Sequence, residues 1–163
     1  MGFNLSGIVI SKNYKDNVNL LREELGLNLE LDKEITFQEA SANWKEPRIC
    51  DIYFGEKGTI LFVSMDMCVD QAYYIEEGNS LTFALSEFSM AFSFNYYESD
   101  KLVRSFLEIE ESRVSEEGEK LPIEEAEDDA ADIIWKQLGV VLGQTFWSIN
   151  HDERAYRYKI LRG

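Results

Sequence analysis

Apolar residues recur along this chain with two different periods, and the two periods divide it into elements. Tyr14, Val18, Leu21 and Leu25 fall at i, i+4, i+7 and i+11, one face of a helix. Asn13 or Asp16 is placed to cap its start, and Gly26 to end it in a left-handed turn. A second stripe, Ala130, Ile134, Leu138, Val141 and Leu142, predicts a helix from about Asp128 to Leu142 that Gly143 stops. Its acidic start complements the positive end of the helix dipole.

Most of the remainder alternates with period two. Leu27, Leu29 and Leu31 share one side of an extended segment, as do Cys50, Ile52 and Phe54, then Ile60 and Phe62, then Met90, Phe92, Phe94 and Tyr96. Gly55-Glu56-Lys57-Gly58 predicts a hairpin between strands 49–54 and 59–65, and Glu98-Ser99-Asp100-Lys101 one between strands 89–97 and 102–110. Further strands are expected at 3–11, 35–40, 81–85 and 154–161. On 89–97 the alternation turns Phe92 and Phe94 inward and Ser93 and Asn95 outward; on 102–109 the better core face is Val103, Ser105, Leu107 and Ile109. The order strand, helix, many strands, helix, strand predicts an α+β fold in a single domain over 1–163. Its meandering antiparallel sheet should have about six to eight strands, with two helices packed on it.

Composition supports a packed core, since 45% of residues are hydrophobic and 13% aromatic. Charge is more specific. The formal net charge is -15, and residues 107–132 hold twelve acids against Arg113 and Lys120, so that one segment supplies -10. Within it, Glu116, Glu117, Glu119, Glu124, Glu125, Asp128 and Asp129 are the candidate partner-binding residues, and the partner they suit is a basic protein. The same sign of field disfavours nucleic acid. No apolar run approaches the ~20 residues that span a bilayer, the first residues do not form a signal peptide, and Cys50 and Cys68 fit a reducing compartment as free thiols. These features predict a cytoplasmic protein that uses no membrane.

Catalytic chemistry finds little purchase. Zinc needs several His and Cys, whereas the chain has one His and two Cys, and no acidic stretch reproduces a calcium loop. His151, flanked by Asp152 and Glu153, is the only imidazole available to activate a nucleophile, and its setting is a polar turn. Gly55 to Gly58 leads into a strand and is no phosphate loop. Gly139 and Gly143 have small-xxx-small spacing, which close packing of a helix on the sheet accounts for. Arg154, Arg157 and Lys159 read as cross-strand partners of acids. No catalytic, cofactor-binding or metal-binding residue is assigned, and a non-catalytic role is expected.

Phe92-Ser93-Phe94, Leu102-Val103-Arg104-Ser105 and Glu117-Gly118-Glu119-Lys120-Leu121-Pro122-Ile123-Glu124 together resemble a hairpin signature of small uncharacterised bacterial proteins thought of as candidate toxin-immunity proteins. The resemblance covers about a fifth of the chain and carries no catalytic residues with it. Physically the signature is an arginine on a hairpin, a charged loop, and a Leu-Pro that stops the sheet and leads into a helix. Two functions follow as expectations. The first is an interaction module with an acidic binding surface, such as an inhibitor or immunity protein for a basic partner. The alternative is a small-molecule-binding protein or enzyme whose pocket is lined by Trp44, Trp147 and tyrosines, with carboxylates.

Overall fold

Nine strands of the computed structural model, which describes residues 2–127 and 129–161, join one antiparallel sheet. They are β1 (Asn4–Ile10), β2 (Leu29–Thr36), β3 (Ile49–Phe54), β4 (Thr59–Phe62), β5 (Asn79–Ser86), β6 (Ala91–Glu98), β7 (Lys101–Ile109), β8 (Ser112–Gly118) and β9 (Arg154–Ile160). The spatial order is β2-β9-β3-β4-β1-β5-β6-β7-β8. The α+β class holds, with nine strands where the sequence suggests six to eight. Five α-helices stand among the described residues where it suggests two: α1 (Val18–Leu25), α2 (Phe37–Ala40), α3 (Met65–Asp70), α4 (Ile123–Ala126) and α5 (Ala130–Leu142). None is long and apolar enough to cross a membrane.

Both faces of the sheet are covered, so β1 is buried along its whole length. Leu5 and Val9 face the core beneath α2 and α5, while Ile8 and Ile10 face the one beneath α1 and α3. α1 starts at Val18, so Tyr14 and the expected caps Asn13 and Asp16 lie before it; its Leu21 and Leu25 are buried, as are Ala130, Ile134, Leu138, Val141 and Leu142 of α5. The caps are Asn17, whose side-chain oxygen accepts from the Leu20 N–H, and Asp129, which accepts from the Asp132 N–H. Gly26 (φ 67°) and Gly143 (φ 87°) end the helices in the left-handed region.

Where the structure departs from the pattern, local chemistry explains it. β2 runs unbroken to Thr36, and Phe37 then opens α2 because Thr36 and Glu39 form a reciprocal capping box. β4 stops at Phe62, and the apolar run around Cys68 is helix α3, with Cys68 buried and its thiol donating to the Gly7 carbonyl at 3.6 Å. Ser93, expected to face solvent, is buried beside its cross-strand neighbour Ala84. On β7 the inward face is the opposite one: Arg104 and Phe106 are each 2% exposed, whereas Ile109 is 42% exposed. An arginine can occupy that face because the buried carboxylate of Glu124 and the half-exposed one of Glu116 meet it there. At the other flank Arg157 of β9 reaches its cross-strand neighbour Asp51, fully buried, through Nε at 2.8 Å and Nη2 at 2.9 Å, and Lys45 joins the pair.

The β7–β8 hairpin has no Gly or Asn signal. Its two-residue loop is Glu110-Glu111, with φ of 50° and 68°, the mirror-image turn that the twist of a hairpin demands. A side chain in that region is strained, so Glu111→Gly is expected to raise stability by about 0.5–1 kcal/mol. Urea denaturation of the two proteins measures it; a loss of stability would mean that the turn carries no strain.

Candidate functional site

The acidic segment is built on a frame of buried ion pairs. β7 places Arg104 under α4, where it grips Glu124 with both Nε (3.1 Å) and Nη2 (2.9 Å), donates from Nη2 to Glu116 at 2.6 Å, and donates from Nη1 to the Gly118 carbonyl at 3.2 Å. Glu124 also accepts from the Leu121 N–H at 2.7 Å, which fixes the turn after Leu121-Pro122. Arg113 of β8 bonds Glu108 at 2.8 Å and Glu116 at 3.1 Å. Its guanidinium lies 3.9 Å above the Phe106 ring, which is itself stacked on Phe94 with centroids 4.9 Å apart. One strand pair and one helical turn are thereby clamped together.

This frame divides the candidate partner-binding residues. Glu124 does not face a partner: its side chain is 3% exposed because its charge is spent on Arg104. Glu116 is half inward, and the Arg104 hydrogen bond, ahead of the charges of Arg104 and Arg113, holds its carboxyl below the usual range. Glu117, Glu119, Glu125 and Asp129 are exposed, and Asp129 doubles as the cap of α5. Asp128 lies outside the described residues. The described candidates therefore divide by role: Glu124, buried, and Glu116, half-exposed, hold the frame, and the others stand exposed.

Beside this surface, and sharing Ile123 of α4 with it, an open groove of about 840 Å³ follows the outer side of α5. Trp135, Gly139 and Val140 of α5 line it together with Phe3, Ile123 and Trp147. The rings pack on one another, with centroids 4.9 Å apart for Trp135–Trp147, 5.2 Å for Phe3–Trp135 and 5.5 Å for Phe3–Trp147. Phe146, in a single 3-10 turn over Phe146–Ser148, anchors all three from below and continues into the core through Phe37. Glu87, Asp132 and Lys136 line the groove's rim; Lys136 is paired with Glu127 at 3.1 Å, and Glu87 accepts the Phe3 N–H at 2.7 Å. Burial, then the neighbouring charges of Asp129 and Glu127, raises the Asp132 carboxyl above its usual value. The rim thus carries an acidic excess.

Of the residues expected to line an aromatic pocket, Trp147 does so, while Trp44 lies elsewhere, its N–H on the Asn4 carbonyl, and no tyrosine is in the lining. Trp135, Gly139 and Val140 escape a reading that follows only the core stripe of α5, yet their spacing marks a second stripe on the same helix. Gly139 in particular faces the groove and not the sheet, so close helix-on-sheet packing does not explain it. His151 is exposed, and both thiols are buried, where the low dielectric pushes their pKa values up. Among the described residues no group of three His, Cys, Asp or Glu is arranged to hold a metal ion. The arrangement offers binding surface: exposed carboxylates beside an aromatic groove. Comparison of the chain with protein-family models, curated proteins and solved structures gives no match.

Proposed function

We propose that this chain is a non-catalytic, cytoplasmic interaction module that binds a basic protein through its acidic surface, in the manner of an inhibitor or immunity protein. One observation carries the reading. Arg104 and Arg113 are consumed within the frame, and Glu117, Glu119, Glu125 and Asp129 stand exposed with no ion pair among the described residues, against the exposed cation Lys120 beside them. A surface with a strong excess of one sign on a rigid support accelerates encounter with a partner of the opposite sign and repels nucleic acid and acidic proteins. The buried pairs supply that support, because moving any of these strands would strip Arg104 of its carboxylates.

Reversing Glu117, Glu119 and Glu125 to Lys removes exposed carboxylates and spares the frame. The triple variant should fold as the wild type does and associate with the basic proteins of the host about tenfold more slowly at low salt, with a flattened salt dependence. Capture from host lysate followed by mass spectrometry, at low and high salt, identifies the partner whose rate is then measured. Identical capture profiles for the two proteins would remove the acidic surface from the function.

A further inference from the structure

We propose that the groove along α5 seats a basic amphipathic helix of the partner, an inference that rests on the acidic-module reading. Its starting point is Gly139. A glycine inside a helix lowers its stability relative to alanine, and such a residue is ordinarily explained by a left-handed turn or by a close approach. Gly143 has that explanation in its φ of 87°. Gly139 has neither: a Cβ built there would meet nothing closer than the Thr145 Cα at 3.5 Å, an ordinary contact. The fold does not use the missing side chain. What its absence preserves is bare groove lining between Trp135 and Val140.

The walls narrow the kind of occupant. Trp147 is 60% and Val140 61% exposed, so apolar surface of the lining stands open to water. The three rings touch at 4.9 to 5.5 Å between centroids, leaving no hollow between them for a small ammonium ion; they form a wall against which a larger apolar side chain lies. The lining comes from α5 and the turn after it, Ile123 of α4, Glu87 of the β5–β6 turn and the segment before β1, none of them a sheet strand, so an extended peptide finds no backbone ladder to join. A helix laid across Gly139 approaches α5 closely and sets its apolar side chains on either side. Glu87 and Asp132 outnumber Lys136 in the lining and, with the exposed Glu125 of α4 two residues from Ile123, meet basic residues at the flanks. A second copy, with the same net charge of -15, brings the wrong sign.

The test uses tryptophan emission in a Trp44→Phe background, where the two remaining tryptophans, Trp135 and Trp147, both line the groove. The probes are a synthetic Leu/Lys amphipathic helical peptide, a Leu/Glu peptide of the same pattern, and polylysine. The Leu/Lys peptide should bind with a blue shift, the Leu/Glu peptide should not, and Gly139→Leu should weaken the Leu/Lys peptide at least about tenfold while leaving polylysine unchanged. Gly139→Ala guards against misfolding: it should raise the melting temperature and still weaken the Leu/Lys peptide. Equal affinity of that peptide for wild type and both variants overturns the proposal, as does equal binding of the Leu/Glu peptide. A concentration-dependent dimer in sedimentation that Gly139→Leu abolishes also overturns it, in favour of a second copy. The reversal of Glu117, Glu119 and Glu125 separates the two readings. Loss of both basic probes in the reversal, with no effect at Gly139, ends the groove proposal alone. An effect at Gly139 with none from the reversal ends the acidic-surface reading.

Discussion

Replacing Arg104 with methionine is expected to cost about 3–5 kcal/mol of stability, because removing one member of a buried pair leaves the other charged and unmet. Here the stranded group is Glu124, 3% exposed, whose one ion pair among the described residues is with Arg104. The loss should appear in urea denaturation as a shift of midpoint at nearly constant slope. The double variant Arg104→Met with Glu124→Leu should recover most of it, since apolar replacement of both partners is often neutral. A single variant that loses less than about 1 kcal/mol would mean the guanidinium is a surface pair. The acid limb gives an independent reading. Glu116 is held below the usual carboxyl range, so its contribution is present above the unfolded-state pKa and disappears as pH falls through the lower folded-state value. Arg104→Met should flatten that limb.

Leu138→Ala should cost about 2–5 kcal/mol, the range for a fully buried leucine whose cavity only partly collapses. Leu138 has no exposed surface and sits mid-helix on the core stripe of α5, packed over the centre of the sheet. Two residues further on, Val140→Ala serves as the contrast, because its side chain projects into the groove and should change stability by no more than about 0.5 kcal/mol. Thermal and urea unfolding of both variants measure the difference between the two faces. Comparable losses from the two would mean that the groove side of α5 is packed in solution.

The two long helices and the paired strands were legible because their signals are local. The stripe Val18, Leu21 and Leu25 and the cap at Gly26 need no knowledge of the rest of the chain, nor do the hairpins at Gly55–Gly58 and Ser99–Asp100. What was hidden depends on distant partners. Arg104 looks like a solvent-facing residue until Glu124, twenty positions on, is folded beneath it, and that pair decides which side of β7 is core. Glu110-Glu111 turns a chain that has no turn-forming residue, because the pairing of β7 with β8 overrides local preference. The candidate site was half visible for the same reason. Acidity located the segment, but the division into carboxylates that hold the arginines and carboxylates that stand free of them is a property of the arginines. The groove brings Phe3 against Trp135 and Trp147, a proximity that no local spacing contains.

The position of β9 between β2 and β3 also governs how the chain reaches this structure. From β5 to β8 each strand pairs with the next, so that flank closes through short loops. The opposite flank cannot close in that way, since among the described residues the strand hydrogen-bonded to β2 is β9, on the order of a hundred residues later, and the loop entropy must be lost before any ladder forms. A high contact order of this kind places folding among the slow, millisecond-to-second reactions. It also leaves the strand-forming edges of β2 and β3 unpaired during synthesis until β9 emerges, the interval in which edge-to-edge association between chains competes with folding. Charges on β2, where Glu30, Asp32, Lys33 and Glu34 are all exposed, oppose that association while β9 is still to come.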